Sequence, residues 1–419
     1  MMKIKKTKKR VLTRRGVMWL GQTCNQRCYF CYFINRIEDH HHPEHAFMTP
    51  NKAMEICQVL RRFYGNTAID IQGGEPTIYH DILPLITYCR DIGLHPTLIT
   101  NALALARPGA IESYRDAGLR DFLVSLHGVG DIHDEVVRVK GAYEKILAAI
   151  TRMQALEFPF RVNCTMSKPV VPLLPEVARH AIDLGAYAVN FIAFNPFGDQ
   201  ESGLRRSDTV ARYTEVRESL TVALDMLEEA GVEVNVRYLP LCMAEERHRK
   251  NFYNFQQLSY DTHEWDFQSW TWSMSGPQTR KEGAVSPPYL LGGPYSRNLQ
   301  NADSLYVRDH YERAPLIQGT KFAAHRVLAR LAQYYKGLDA VYRDEARFRA
   351  EVHCHYRYHE GCASCPARSI CDGFHGDYAE LFGTGEALPI SGRACIEDPL
   401  YFVREQEKTV EPEDVSWAL

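Results

Sequence analysis

Between residues 16 and 241, short apolar runs alternate with longer amphipathic stretches. Strand–helix units repeated along one parallel sheet leave that pattern. The runs at 17–20, 68–71, 97–99, 122–126, 161–165, 188–194 and 232–238 are rich in β-branched or aromatic residues and lie near Gly, Pro or Asn, so they read as strands. The gaps read as helices. Thr49 before Pro50 predicts an N-cap with proline in the first turn, Gly65 predicts the stop of that helix, and 207–231 predicts another. Six or seven parallel strands with crossovers predict an α/β fold, a partial or full parallel (β/α) barrel with its reactive groups at the carboxyl edge of the strands.

Beyond residue 242 the alternation breaks. Residues 243–345 predict an aromatic-rich insertion, with Phe252, Tyr253, Phe255, Tyr260, Trp265, Phe267, Trp270 and Trp272, and then a bridging helix with Phe322, Val327, Leu328 and Leu331 at helical spacing. So many aromatics must be buried, either as a loop packed over the barrel or as a lid over a substrate. Residues 346–400 are dense in Cys, His and Gly, 401–419 form an acidic tail, and 1–15 carry a basic run that reads as a solvated arm. The barrel is then 16–242.

Composition removes two classes of function. A net charge of −3 over 419 residues lacks the basic excess of a nucleic-acid binder. No apolar run approaches the roughly 18 residues needed to span a bilayer. Arg14 and Arg15 precede an apolar stretch that ends at Gly21, too short for an export signal, so the expected location is the cytoplasm. There the twelve cysteines are not expected to pair as disulfides, and their grouping carries the information.

Cys24, Cys28 and Cys31 follow the first predicted strand at Cys-x3-Cys-x2-Cys spacing. Three thiols leave one coordination position open, which suits an iron-sulfur cluster that binds a ligand through one iron, with zinc as the alternative. Gly73, Gly74, Glu75 and Pro76 end the second strand. Together these motifs resemble the radical S-adenosylmethionine superfamily over about 16–240. The resemblance implies that Cys24, Cys28 and Cys31 hold a four-iron four-sulfur cluster whose fourth iron chelates S-adenosylmethionine, and that Phe30 flanks the adenine. It implies that the turn from Gly73 to Pro76 meets the methionyl amine, with Glu75 as acceptor. Ser125 and Arg138 stand where the family contacts the cofactor, although His127 replaces the usual Asp, and Asn101 resembles a strand-end residue facing the site. An electron donor such as flavodoxin or ferredoxin is implied as a partner.

A second group, Cys362, Cys365 and Cys371 at Cys-x2-Cys-x5-Cys spacing with Cys395 after a 23-residue gap, resembles a SPASM or twitch extension holding one auxiliary four-iron four-sulfur cluster. Zinc again remains the alternative. His375 stands where the two-cluster version has another Cys, and Cys354 is left unassigned. Cys242 and Cys164 could return hydrogen to a substrate radical, although both read first as buried apolar residues. Cys57 and Cys89 read as core, and His40, His41, His42 and His45 as loop.

The expected activity is reductive cleavage of S-adenosylmethionine to a 5′-deoxyadenosyl radical, which abstracts hydrogen from an unactivated carbon for oxidation, epimerisation or rearrangement. A small-molecule substrate is favoured over a peptide, because little chain precedes the first strand for a leader-binding domain. A peptide maturase is one alternative. An iron-sulfur carrier without turnover is another, but it would need no methionine-binding turn.

Overall fold

The computed structural model describes residues 5–9, 15–31, 33–41, 45–64, 66–194, 207–258, 354–392 and 394–419, with scattered positions between 324 and 351. In chain order the elements that build the site are β1 (Lys6–Thr7), β2 (Arg15–Trp19), α1 (Ile34–Glu38), α2 (Pro50–Val59), β3 (Ala68–Gln72), α3 (Ile82–Asp91), β4 (His95–Thr100), α4 (Ala110–Ala117) and β5 (Asp121–Ser125). Then follow α5 (Asp131–Val137), α6 (Ala142–Ala155), β6 (Phe160–Met166), α7 (Leu174–Asp183), β7 (Ala188–Ala193), α8 (Tyr213–Glu229), β8 (Glu233–Arg237), β9 (Phe252–Tyr253) and β10 (Lys408–Thr409).

Strands β2 to β9 lie side by side in sequence order, and every neighbouring pair is parallel. The two edge strands do not pair with each other, so the sheet is a half-barrel. Burial on both faces explains the nearly continuous apolar strands, and α6 shows how the outer layer is sealed. It buries Tyr143, Ile146, Ala149, Ile150 and Met153, positions that recur every three or four residues and so share one helical face. All seven strands read from the pattern are present. The eighth, Phe252–Tyr253, falls at the start of the stretch read as an insertion.

Thr49 caps α2, accepting from the Lys52 N–H at 3.4 Å, and after Val59 the helical run continues as a π turn over Leu60–Tyr64, up to the Gly65 read as its stop. Helix α8 begins at Tyr213 and not near residue 207, because the Arg212 N–H donates to Glu215 Oε2 at 3.1 Å and fixes the first turn there. Gly65, Tyr260, Trp265, Phe267, Trp270, Trp272, Phe322 and Leu328 lie outside the described residues.

The basic arm is not simply solvated. Lys6 and Thr7 pair antiparallel with Thr409 and Lys408, so β1 and β10 form a two-stranded ribbon. The acidic segment likewise returns to the amino end of the sheet. There Arg15 Nη1 meets Asp70 Oδ1 at 2.8 Å and Arg15 Nη2 meets Glu411 Oε1 at 2.8 Å, while Arg120 Nη1 meets Glu413 Oε1 at 2.6 Å. Beside them Arg161 Nε donates to Asp121 Oδ2 at 2.8 Å. Lys408, fully buried, donates to Asn235 Oδ1 at 2.6 Å and Glu233 Oε1 at 3.2 Å. Glu411→Ala would leave Arg15 with one buried partner fewer. Breaking a buried ion pair from one side costs about 3–5 kcal/mol, so urea unfolding should show a loss of that order.

Candidate active site

The chain leaves β2 at the carboxyl edge and immediately forms the thiol loop, which neighbouring backbone fixes on several sides. Leu20 N–H donates to Gln72 O at 2.8 Å, Gln22 N–H to His45 O at 3.2 Å, and Arg27 N–H to Val137 O at 3.1 Å. The turn after β3 locks against the same loop: Glu75 N–H donates to Thr23 O at 2.9 Å. Here glycine is required. Gly74 has φ +52°, and a Cβ on it would lie 2.0 Å from Thr23 O; Gly73 has φ +97°, and its Cβ would meet Gly21 O at 2.7 Å.

Asn101, just past β4, completes the arrangement. Its Nδ2 donates to Asn25 Oδ1 at 2.7 Å and lies 4.0 Å from Cys24 Sγ. The carboxylate of Glu75, expected to face an incoming ammonium, is turned inward at 1% exposure. Its Oε1 accepts from Thr77 N–H at 3.0 Å, Thr77 Oγ1 at 2.5 Å and Thr100 Oγ1 at 2.6 Å, and its Oε2 accepts from Asn101 N–H at 2.7 Å. Glu75 therefore ties the glycine turn to the end of β4.

The three thiols are close enough to affect one another. Burial pushes Cys24 up to about 12, with Glu75 and Cys31 adding to the effect; burial, Cys31 and Cys24 raise Cys28 well above the usual thiol range. Thiolates in such a place need a cationic partner. Among the described residues no three His, Cys, Asp or Glu side chains are close enough to share one metal ion. A cuboidal cluster, unlike a single ion, holds each thiolate through a separate iron. Gln26 Nε2 is a buried donor without a partner next to Cys28, whose Sγ lies 3.5 Å from Gln26 Oε1. The thiol set and this unpaired donor fit an iron-sulfur group.

Phe30 packs edge-on against His127 at 4.5 Å between ring centroids and lies 6.2 Å from Phe194. His127 Nδ1 accepts from Thr165 N–H at 3.0 Å, and burial holds the ring neutral, so its proton resides on Nε2. No sequence signal pointed to this role for the His that replaces Asp. Ser125 is half-buried at the end of β5, opposite Asn163 on β6. Arg138 is exposed at the left-handed end of α5, and its charge favours the Cys28 thiolate. Cys164 is fully buried in β6, and Cys57 and Cys89 are core residues with their sulfurs 3.4 Å apart. His40, His41 and His45 lie outside helix and strand; His42 is outside the described residues.

The second cysteine group lies at the same edge, next to the end of β8. Cys362, Cys365 and Cys371 line a small recess together with Cys242, Leu241, Tyr358 and Phe374. Cys395 is not on it. That residue is exposed beside the Cys365–Cys371 loop, with Ser369 Oγ 4.0 Å from its Sγ and Ile396 N–H bonded to Pro366 O at 2.8 Å, but it does not line the recess. Cys354 packs in a separate apolar cluster with Tyr253, Phe255 and Val403, and His375 Nδ1 accepts from Asp377 N–H at 3.3 Å as a helix cap.

A half-barrel of parallel strands with three thiols and a double-glycine turn at its carboxyl edge defines the class. Residues 20–172 match the model of the Radical SAM superfamily. It is 32% identical over 198 residues to an AdoMet-dependent heme synthase of Methanosarcina barkeri, covering 46% of this chain and 55% of that protein. It is 32% identical over 123 residues to a PqqA peptide cyclase of Bradyrhizobium diazoefficiens, covering 29% of this chain and 32% of that protein. The solved structure of Streptococcus suis SuiB bound to S-adenosylmethionine aligns over 54% of this chain and 50% of that one, with 17% identity and a TM-score of 0.44. The chain spans about half the length of the heme synthases it matches first. No helix among the described residues is long and apolar enough to cross a membrane.

Proposed function

We propose that this chain cleaves S-adenosylmethionine reductively and uses the 5′-deoxyadenosyl radical to take hydrogen from an unactivated carbon of a small molecule. The observation that carries this reading is the convergence of the three-thiol loop, the Gly73 and Gly74 turn and Asn101 at one edge of the half-barrel. When bound and reduced, an iron-sulfur cluster would supply the electron for reductive cleavage of the sulfonium to methionine and the 5′-deoxyadenosyl radical. The protein's own residues bind and position. Cys24, Cys28 and Cys31 would hold the cluster, and the close-packed glycine turn would present backbone to the methionyl amine. The Arg138 guanidinium suits the methionyl carboxylate, with Ser125 on the neighbouring strand end. Phe30 would flank the adenine, and the sheet behind it keeps water from the reacting carbon.

Cys362, Cys365 and Cys371 would hold a second, auxiliary cluster. Such a cluster would supply a one-electron acceptor near the substrate. A flavodoxin or ferredoxin would supply the first electron. The preference for a small molecule is supported by the longer matches to heme synthases, 198 to 230 residues, than to peptide cyclases, 123 to 169 residues. The test is anaerobic reconstitution, reduction and measurement of 5′-deoxyadenosine. A metabolite fraction that raises its formation above the uncoupled rate supports the reading. Stimulation by peptides alone makes the protein a maturase, and no cleavage at all makes it a carrier.

A further inference from the structure

We propose that Cys242, supplied by the barrel, is the fourth thiol of the C-terminal centre, in the place the sequence assigns to Cys395. The inference rests on reading that centre as a metal-thiolate site. Cys242 lies on the short turn Leu241–Met243 just past β8 and borders the same recess as Cys362, Cys365 and Cys371. No other cysteine does. Four thiols drawn from two parts of the chain therefore surround one space, which is the donor set of a closed four-thiolate site.

Backbone contacts agree with the shared lining: the Leu388 N–H faces the Cys242 sulfur, and the Leu241 and Gly373 N–H groups face the Cys371 sulfur. Backbone of each part thus serves the sulfur of the other. Cys395 does not border the recess, and its side chain is exposed. Backbone contacts also fix where Cys242 stands: Met243 N–H donates to Pro240 O at 2.9 Å, and Tyr238 N–H donates to Tyr253 O at 3.0 Å, so β9 holds the chain leading to the turn.

The position has a structural consequence. A ligand at the carboxyl end of β8 would bolt the centre to the sheet whose opposite edge strand leads into the first thiol loop. The separation of the two centres would then be set by the barrel.

Single substitutions in the full chain, made in a Cys24→Ala, Cys28→Ala, Cys31→Ala background, isolate the C-terminal centre. After anaerobic reconstitution that background should retain about four irons. Cys242→Ala should lower metal content to less than about a tenth, whereas Cys395→Ala should retain it. Cys242→Ser, which keeps an oxygen donor of similar size, should keep a centre with a shifted electron paramagnetic resonance or Mössbauer signature, so the test survives poor folding of the alanine variant. An unchanged spectrum in Cys242→Ser, or loss of the centre in Cys395→Ala with retention in Cys242→Ala, overturns the assignment. A background protein without bound metal removes the centre itself and the assignment with it. Zinc in place of iron overturns the redox reading, while its loss in Cys242→Ala alone still supports the ligand.

Discussion

Alanine at Cys24, Cys28 and Cys31 together is expected to lower 5′-deoxyadenosine formation by at least about a thousandfold. With the second centre proposed above in place, iron should fall to about half. The fold should survive. Backbone hydrogen bonds from Leu20, Gln22, Arg27 and Glu75 hold the loop, and none of them uses a thiol. Removing sulfurs that burial disfavours as thiolates adds no unpaired charge to the interior. Iron analysis, circular dichroism and product assay on one preparation check all three statements. Retention of the full iron content would show that the thiols do not hold the cluster.

Glu75→Gln is expected to lower stability and S-adenosylmethionine affinity together. An acceptor facing the methionyl ammonium, the role implied by family resemblance, would predict weaker binding in an equally stable protein. The structure predicts otherwise, because both carboxylate oxygens already accept from buried donors. A glutamine amide can offer only one acceptor. If its NH₂ faces Asn101, it meets an N–H; if it faces Thr77, it meets a second N–H. Either way a buried donor loses its partner, at a cost of about 1–3 kcal/mol. The turn carrying Gly73 and Gly74 would loosen from β4, and the binding surface with it. Thermal unfolding without ligand, compared with titration of S-adenosylmethionine, separates the two roles. An unchanged unfolding midpoint with weakened binding would return Glu75 to the role of a direct acceptor.

The barrel was legible because parallel strands buried on both faces must be continuously apolar, and the cofactor loop because its residues are close in sequence. What was missed depends on distance along the chain. Phe252 and Tyr253 make a strand only by pairing with Val236 and Arg237, and two residues show no alternation. Lys408 reads as a surface charge, yet Glu233 and Asn235, some 175 positions earlier, make it a buried donor. Cys395 continues the expected spacing, whereas Cys242 carries no spacing signal and is brought to the recess by the end of β8. Glu75 illustrates a different limit. Its place in the motif was evident, but the direction of its side chain depends on Thr100 and Asn101.

The return of residues 403–415 to the sheet also bears on how the molecule would come apart. The cysteine-rich segment is held from two directions: Gln257 Nε2 donates to Ile370 O at 2.8 Å and Tyr213 stacks on Tyr378 near the carboxyl edge, while Glu411 reaches Arg15 at the opposite end. A single proteolytic nick between 259 and 353 would therefore sever the chain without freeing its C-terminal portion. The two fragments would remain a non-covalent complex, each contributing groups the other buries, and separation would require loss of both attachments at once.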